Sequence, residues 1–482
     1  MIVTDDQLTE SKRALVHDAA WASLAGALHG GVILTGFALA LGAGPLIIGL
    51  LAAIPLIAQA AQLPAIVWVE RSGERRKIAM WTITIARVVI LGLAVIPCLS
   101  GQSLQLALLV AAQAVISVLG SVGGCSLNSW LHQLLPTAGL GVFFGQRLFW
   151  ATTLACVGSL YAGYVIDHWR IDSTINAYSV VFAGAGIAGF ISSGYLSRVR
   201  EPPMPRYAAH LPIWPRIRLP FHDENFRKLL LFMGAWNVAS NLALPFLPVY
   251  LMRQLGLTLG TVTTLWVVSQ AANALTIYLW GRLSDRLSNK AVLAVALPIY
   301  FACLLGMVFT ALPGMDGWTL PALYFVHIVM GAASGGIGLA TGNIGLKLAP
   351  QGQGTPYLAA ISLVGATAGG FAPIMGGALA EWFSTYKLSI LVRWTSPLET
   401  SELTVLGFSH WEFLFAISAA LGFYVMHTLS RIEEGEKISE RAVMQELGLE
   451  AMRTVNNISS IAGLLAIVSA FSRLLDRRAR PR

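Results

Sequence analysis

The stretch GRLSDRLSNK (residues 281–290) is a short charged connection between two long apolar segments. A related stretch, ERSG (residues 70–73), lies about 215 residues earlier and also joins two apolar segments. Other short sequences repeat at nearly the same distance: Leu41-Gly42 with Leu255-Gly256, and Ala162-Gly163 with Gly376-Gly377. Six long apolar segments fall in each half of the chain. This spacing predicts that the chain contains the same six-helix unit twice.

The composition places these segments in a lipid bilayer. Of the 482 residues, 56% are hydrophobic and 12% are charged, and the mean hydropathy is +0.67. Soluble domains carry about 25% charged residues, and a helix needs about 20 apolar residues to cross a bilayer. We therefore predict an all-α integral membrane protein with twelve transmembrane helices, arranged as two six-helix pseudo-repeats. The predicted spans lie near residues 18–40, 45–68, 78–98, 104–127, 144–166, 176–197, 226–252, 259–280, 291–312, 319–346, 357–382 and 409–430.

The basic residues predict how the chain is oriented. The formal charge is +8, but Lys and Arg concentrate in alternate connections, which face the cytoplasm under the positive-inside rule. The opposite connections hold few basic residues: Arg170, Arg253, Lys387 and Arg393. We expect both termini to be cytoplasmic, in a bacterial-type inner (plasma) membrane. The excess charge then reports topology, and no nucleic-acid partner is expected.

On this prediction the chain has five parts. They are a cytoplasmic N-terminus (1–17), a first six-helix bundle (18–198), a cytoplasmic linker (199–225), a second six-helix bundle (226–430) and a cytoplasmic tail (431–482). In the tail, residues 458–475 are apolar and precede a basic cluster. An amphipathic helix lying on the inner leaflet would hold this cluster at the anionic lipid surface. A thirteenth span is the alternative.

The stretch 281–290 resembles the loop signature of the major facilitator superfamily, Gly-x-Leu-x-Asp-Arg-x-Gly-Arg-Lys. Its first Gly, its Leu, Asp and Arg, and its final Lys are present, whereas Ser288 and Asn289 replace the second Gly and an Arg. The first-half copy is poorer, with Ile66 and Trp68 where Gly and Leu are expected. The resemblance extends over residues 18–430. It implies two six-helix halves that rock around a substrate held between them.

The charged residues of these two loops are candidates for a conformational lock. Charge-assisted hydrogen bonds from such a loop to neighbouring helix ends would form in one arrangement of the halves and break in the other. The candidates are Gly281, Asp285, Arg286, Lys290, Glu70 and Arg71. The alternative is that these charges only anchor the topology.

Uncharged polar residues inside the spans are candidates for the substrate cavity. Asn237 and Asn241 are four residues apart and therefore share one helix face. The resemblance implies that the first, fourth, seventh and tenth helices surround the cavity. This favours His29, Gln113, Trp236, Asn237, Asn241 and His327 as lining residues. Hydrogen bonding between helices is the alternative for each of them.

Charged residues inside the spans are few. Arg87 is central in the third segment and is a possible charge site, with a structural pairing as the alternative. We expect no Asp or Glu deep in a span, with Asp18 at the start of the first one. The coupling species, a proton or another ion, is left open.

We expect a secondary active transporter that moves a small organic solute across the inner membrane by alternating access. One alternative is efflux of hydrophobic compounds, and another is a non-transporting protein of assembly or sensing that binds lipid or pigment on the same fold. We expect no enzyme activity, no cofactor and no metal, because no catalytic, phosphate-binding or metal-spaced motif is present. The expected partners are membrane lipids and a small-molecule substrate.

Overall fold

The computed structural model describes residues 5–136, 140–169, 173–202, 213–311, 317–350, 354–395 and 400–434. Twelve helices among these residues are long and apolar enough to cross a membrane, which confirms the predicted number of spans. The predicted amphipathic helix at 458–475 lies outside the described residues, as do linker residues 203–212.

Spans 1 to 6 form the first half. Several are interrupted by short turns, and their bounds are Asp5–His29 with Gly31–Ala40 (span 1), Pro45–Ala58, Gln59–Ala61 and Gln62–Ser72 (span 2), Arg75–Gly92 with Leu93–Cys98 (span 3), Gln102–Leu134 (span 4), Leu140–Asp167 (span 5) and Thr174–Leu196 (span 6). A short linker helix, Ile213–His222, follows.

Spans 7 to 12 form the second half. Their bounds are Glu224–Ala243, Leu244–Phe246, Leu247–Val249 and Tyr250–Gln254 (span 7), Leu259–Arg286 (span 8), Asn289–Gly306 with Met307–Ala311 (span 9), Thr319–Leu348 (span 10), Gly354–Phe383 (span 11) and Trp411–Ser430 (span 12). Strands β1 (Lys387–Thr395) and β2 (Thr400–Ser409) lie between spans 11 and 12.

The first helix begins earlier than the hydropathy indicates. It starts at Asp5, whereas the predicted span starts at residue 18. Residues 5–17 are polar on one side only, and their apolar side packs on the first half: Leu15 is fully buried in a cluster with Trp130 and Leu196. Asp18 therefore lies about 20 Å along the helix, at a rise of 1.5 Å per residue, and not at its end.

The two halves repeat the same packing. In the first half, span 1 packs on spans 5 and 6, span 3 on spans 4 and 6, and span 2 on span 4. The second half repeats each contact: span 7 packs on spans 11 and 12, span 9 on spans 10 and 12, and span 8 on span 10. The halves meet through spans 2 and 11 and through spans 5 and 8. This agrees with the duplication predicted from the sequence.

Glycines allow the halves to approach at these two seams. A Cβ on Gly377 of span 11 would lie 2.6 Å from the carbonyl oxygen of Pro45 in span 2. A Cβ on Gly163 of span 5 would lie 2.9 Å from Cα of Gly260 in span 8. Both distances are too short for any side chain, so the glycines permit backbone-to-backbone contact between the halves.

The bundle has two faces, which we name by what lies there. The terminal face holds Asp5, the linker helix and the end of span 12 at Ser430. The hairpin face holds β1 and β2, which pair antiparallel from Lys387↔Ser409 to Thr395↔Thr400. In the sequence prediction this segment is only a connection that holds Lys387 and Arg393, and no strand is expected there. The alternation of Leu388, Ile390 and Val392 is typical of a strand and is the signal that could have predicted it.

Candidate functional site

A cavity of about 510 Å³ lies between the two halves. Spans 1, 2 and 4 line it from the first half, and spans 7, 8, 9 and 10 line it from the second. Most of the lining is aliphatic or proline, and the lining residues include no Asp, Glu, Lys or Arg. The polar or amphipathic side chains in the lining are Thr35, Gln113, Trp266, Ser269, Gln270, Tyr300, His327 and Ser334.

The cavity lies where one helix in each half is interrupted. Span 1 breaks at Gly31, whose φ of +51° is in the left-handed region that favours glycine. Span 7 breaks into a turn at Pro245, about 214 residues later and thus in the equivalent position of the repeat. Both residues line the cavity. Interruptions at corresponding positions of two repeats are the usual feature of a transporter binding site, since the broken helix frees backbone groups.

Two buried polar atoms of the cavity-lining residues have no hydrogen-bond partner among the described residues. Gln113 is buried in span 4, and its Oε1 accepts no hydrogen bond. The hydroxyl of Tyr300 in span 9 is likewise buried without a partner. A buried polar atom without a partner is unfavourable by about 1–3 kcal/mol. A ligand or water that hydrogen-bonds to these atoms from the cavity would therefore be stabilised.

His327 has a defined acceptor atom. Its Nδ1 lies 2.8 Å from the carbonyl oxygen of Leu323, one turn earlier in span 10. A nitrogen in that position donates to the carbonyl, so in the neutral ring Nε2 carries the lone pair. His327 thus offers the cavity a hydrogen-bond acceptor.

The residues predicted to line the cavity separate into two groups. Gln113 and His327 lie in the lining. Asn237 and Asn241 instead face span 11, where they lie beside Gly369. Their side-chain amides donate to Met233 O and Asn237 O of their own helix, at 2.8 and 2.9 Å. This face of span 7 therefore packs on span 11, and these two side-chain hydrogen bonds stay within span 7 instead of joining two helices.

Trp236 and His29 also lie outside the lining. The Trp236 ring packs against Tyr300 of span 9, with ring centroids 5.2 Å apart. His29 is half-buried, and its Nδ1 lies 2.5 Å from the carbonyl oxygen of Ala25 in the same helix. Conversely, the sequence analysis missed Ser269 and Ser334. Gln270 shares a helix with Ser269, and its polar character in an apolar span was the available signal.

Charged residues lie in the interior of the first half. Asp18 is 4% exposed, and the hydroxyl of Ser192 in span 6 donates to its Oδ1 at 2.7 Å. Arg87 of span 3 and Arg147 of span 5 both lie within electrostatic range of this carboxylate. Asp18 is thus buried inside the first helix, which begins at Asp5, and its depth in the membrane stays a prediction.

Two hydrogen bonds join the halves at the hairpin face. Asp167, the last residue of span 5, accepts a hydrogen bond from the backbone N–H of Gly260 at 2.8 Å. Arg253 at the end of span 7 donates to the carbonyl oxygen of Leu39 in span 1 at 3.3 Å. The carboxylate of Asp167 lies at the N-terminus of span 8, where a negative charge is favourable. These contacts join the two halves on this side of the cavity.

The loop residues proposed as a lock lie at the terminal face. Asp285, Arg286, Glu70 and Arg71 are exposed, and Gly281 packs beside Leu339 of span 10. Asp285 forms no hydrogen bond or ion pair with a described residue. Lys290 donates from its ammonium group to the carbonyl oxygens of Ser430, at the end of span 12, and of Ile432, and its backbone N–H donates to Glu434.

Glu434, in the segment that follows span 12, makes the principal contact with the start of span 9. Its side chain is 1% exposed, and its carboxylate accepts hydrogen bonds from the backbone N–H of Lys290 at 2.7 Å and of Asn289 at 3.2 Å. It also pairs with Lys347 of span 10 at 3.1 Å. The carboxylate thereby caps the N-terminus of span 9.

Glu201 has the equivalent place in the first half. It follows span 6 as Glu434 follows span 12, and its Oε1 accepts from the backbone N–H of Arg76 at 3.1 Å, at the start of span 3. Arg75 is fully buried beside it, with Nε 3.9 Å from Oε1. Sequence reasoning missed both glutamates because each lies more than 100 residues from the helix start that it caps.

Among the described residues, no group of three or more His, Cys, Asp or Glu side chains has the arrangement of a metal site. The expectation that the chain uses no metal or cofactor stays a prediction.

Comparison with known proteins agrees with the fold. A family model described as Major Facilitator Superfamily matches residues 19–373. The "Multi-drug resistance efflux pump PmrA homolog" of Lactococcus lactis subsp. lactis (strain IL1403) is 25% identical over 222 residues, which are 45% of this chain and 48% of that protein. The chain thus spans about half the length of this curated relative.

Solved structures resemble the chain over most of its length. The nucleoside transporter NupG has a TM-score of 0.59 at 12% identity, covering 89% of this chain and 100% of that one. The xylose transporter XylE from E. coli, in an inward open conformation, has a TM-score of 0.59 at 12% identity, covering 92% and 99%. At such identities the likeness shows the fold alone. Since the family model covers about three quarters of the residues, the chain belongs to the Major Facilitator Superfamily, whose members are transporters in membranes.

Proposed function

We propose that this protein is a secondary active transporter of amphipathic, largely apolar organic molecules. The observation that carries the proposal is the apolar cavity between the halves, placed at the paired helix interruptions at Gly31 and Pro245. Its volume of about 510 Å³ is within the usual range for a site that encloses a small organic ligand. Alternating access then means that the halves rock around this cavity.

The lining supports this class of substrate over sugars and multivalent ions. A sugar carries many hydroxyl groups, and each one loses free energy if it is buried without a partner. A multivalent ion requires charged ligands, and none of the lining residues is Asp, Glu, Lys or Arg. A molecule with an apolar body and one or two hydrogen-bonding groups suits the lining, with Gln113, Tyr300 and His327 as its polar contacts.

Export is the direction that we propose. The named relative is described as a homolog of a multidrug efflux pump, which supports export of apolar compounds. The basic residues concentrate at the terminal face, which supports a cytoplasmic location for that face and for both termini, as in a bacterial-type inner membrane. The bonds Asp167–Gly260 and Arg253–Leu39 then close the outer side. On this orientation the arrangement described here is inward-facing.

The proton is the coupling species that we propose. Asp18 is a buried carboxylate in the interior of the first half, and its Ser192 contact and the nearby Arg87 and Arg147 support a role in coupling. A buried carboxylate of this kind can load and release a proton as the halves move. Its charge would change the electrostatic balance with the two arginines and thereby bias the equilibrium between states.

The test is transport by purified protein in sealed liposomes of neutral lipid. An apolar fluorescent dye is loaded, a pH gradient is imposed, and dye movement is followed in wild type, Gln113→Leu and His327→Gln. His427→Gln is the control, because His427 is an exposed histidine of span 12 outside the cavity. We expect gradient-driven movement in wild type and control, and weaker movement in the two cavity variants. Binding of the dye without any movement would reject transport and favour the lipid- or pigment-binding alternative.

A further inference from the structure

The charged cluster in the first half contains two arginines and one carboxylate. Asp18, Arg87 and Arg147 come from spans 1, 3 and 5, and Ser192 of span 6 donates to Asp18. Arg87 and Arg147 form no hydrogen bond or ion pair with a described residue, and the Nε atom of each is buried without a partner. The cluster therefore carries one more positive than negative charge, in a region where an unpaired charge is unfavourable.

The packing of spans 3 and 6 leaves room for the Arg87 side chain. The Arg87 side chain lies against Gly189 of span 6, where a Cβ would be only 3.1 Å from Nε. Any side chain at position 189 would displace the guanidinium. The position of Arg87 is thus built into the packing of spans 3 and 6.

A cleft leads to the other guanidinium. It has a volume of about 450 Å³, and Arg147 is its charged lining residue. The rest of the lining comes from spans 1 and 5 and is small or apolar: Ala19, Ala22, Ser23, Phe144, Leu148 and Ala151. Leu148 and Phe144 are 62% and 43% exposed, so the cleft opens at the surface of the bundle. It shares no lining residue with the central cavity.

We propose that this cleft binds a singly charged anionic amphipath, with its headgroup on Arg147 and its alkyl chain along Phe144 and Leu148. One negative charge balances the excess of the cluster, and a planar guanidinium binds a carboxylate or phosphate oxygen pair well. The apolar walls accept the chain. A free alkyl carboxylate and the phosphate headgroup of a membrane lipid share this chemistry. The cleft shares no lining residue with the transport cavity, but the charge count applies to ionised Asp18, the residue to which the proposed function assigns coupling.

The experiment compares ligands that differ only in charge. Decanoate and decanol are titrated into the full-length protein in an uncharged detergent, with intrinsic tryptophan fluorescence as the readout. Phosphatidylglycerol is compared with phosphatidylcholine in nanodiscs by the thermal stability of the protein. We expect decanoate to bind at least about tenfold more tightly than decanol, or phosphatidylglycerol to stabilise the protein more than phosphatidylcholine. The first result identifies a free amphipath as the ligand, and the second identifies a lipid.

Substitutions test whether the preference for an anion arises in this cleft. Arg147→Gln should abolish the preference for the anion, and Arg147→Lys should keep part of it, whereas Arg253→Gln at the hairpin face should leave it unchanged. If Arg147→Gln does not fold, Ala22→Leu narrows the cleft without altering its charges and should weaken binding. Equal binding of charged and uncharged probes in both media overturns the proposal. An anion preference that survives both Arg147→Gln and Ala22→Leu also overturns it.

Discussion

The carboxylate of Asp167 accepts a hydrogen bond from the backbone N–H of Gly260 at 2.8 Å, and this bond joins the two halves of the transporter. Its geometry depends on a glycine, because a Cβ at position 260 would lie 2.5 Å from Oδ2 of Asp167. The bond can exist only while spans 5 and 8 are in contact at the hairpin face. On the proposed alternating-access mechanism, it would therefore stabilise one conformational state and not the other.

Removal of this bond should favour opening at the hairpin face. A hydrogen bond to a charged group contributes about 1.5–3 kcal/mol, so Asp167→Ala should shift the equilibrium by roughly tenfold or more. The measurement uses Thr35→Cys in the cavity, in a background without the four native cysteines, and labels it with an impermeant maleimide from the hairpin side. Asp167→Asn keeps an acceptor oxygen and should have a smaller effect. Equal labelling rates in wild type and Asp167→Ala would show that the bond does not control opening.

The cavity residue Gln113 should contribute to affinity and not to folding. Its Oε1 has no protein partner, so Gln113→Leu removes a potential ligand contact and leaves no new unsatisfied atom. We expect binding of a transported dye to weaken by about 0.5–1.5 kcal/mol, or roughly two- to tenfold. Equilibrium dye binding measures this, with Gln59→Leu, an exposed glutamine of span 2, as the matched control. A variant that loses thermal stability but keeps its affinity would contradict the assignment.

Substitution of Asp18 should weaken coupling to the proton gradient without blocking the movement of substrate. Asp18→Asn keeps the size of the side chain and an acceptor for Ser192, but it cannot be ionised. We expect gradient-driven accumulation to fall by about tenfold or more, while exchange of substrate without a gradient stays near the wild-type rate. Both fluxes can be measured in the same liposomes. If accumulation driven by the pH gradient persists in Asp18→Asn, another group carries the proton.

Glu434 and its neighbour Glu433 form a natural pair for a stability test. The Glu434 side chain is 1% exposed and caps span 9, whereas Glu433 is 76% exposed and pairs with Lys228. Glu434→Gln should destabilise the protein by about 1–3 kcal/mol, because the buried carboxylate loses the charge that it offers to the N-terminus of span 9 and to the half-exposed Lys347. Glu433→Gln should change stability by less than about 1 kcal/mol. Thermal unfolding in detergent compares them, and equal melting temperatures would argue against a capping role for Glu434.

The signature residue Asp285 should act in the state that is closed at the terminal face. It has no partner among the described residues in the present arrangement, so Asp285→Asn should leave this state unchanged and destabilise the other. We expect Thr35→Cys to be labelled faster from the terminal side in Asp285→Asn than in the parent. Asp285→Glu, which keeps the charge, serves as the comparison. If the labelling rate does not change, the loop charges serve only to anchor the topology.

The fold prediction depended on local sequence patterns. Each span is an apolar run longer than a bilayer requires, and the loop stretch at Gly281–Lys290 matches a short family signature, so both can be recognised without knowledge of distant contacts. The error at the start of span 1 has the same origin. Hydropathy detects the membrane-embedded part of a helix, but it does not detect a polar extension such as residues 5–17 that packs beneath the bundle.

The site could be predicted only in part, since residue type does not decide which way a helix faces. Asn237 and Asn241 have the composition of a cavity wall, yet their face of span 7 packs on the glycines of span 11. Gln113 and His327 do line the cavity, and so do Ser269 and Ser334, which the sequence does not distinguish from packing residues.

The sequence by itself determined the number of spans, their duplication and the membrane setting, because these depend on hydrophobic length and on repeats within the chain. Only the tertiary structure decided the partners of the charged groups. Asp18 meets Ser192 across 174 residues, and Lys290 meets Glu434 across 144. Such pairings depend on the packing of helices that are far apart in the chain. Hydropathy and local spacing contain no information about that packing.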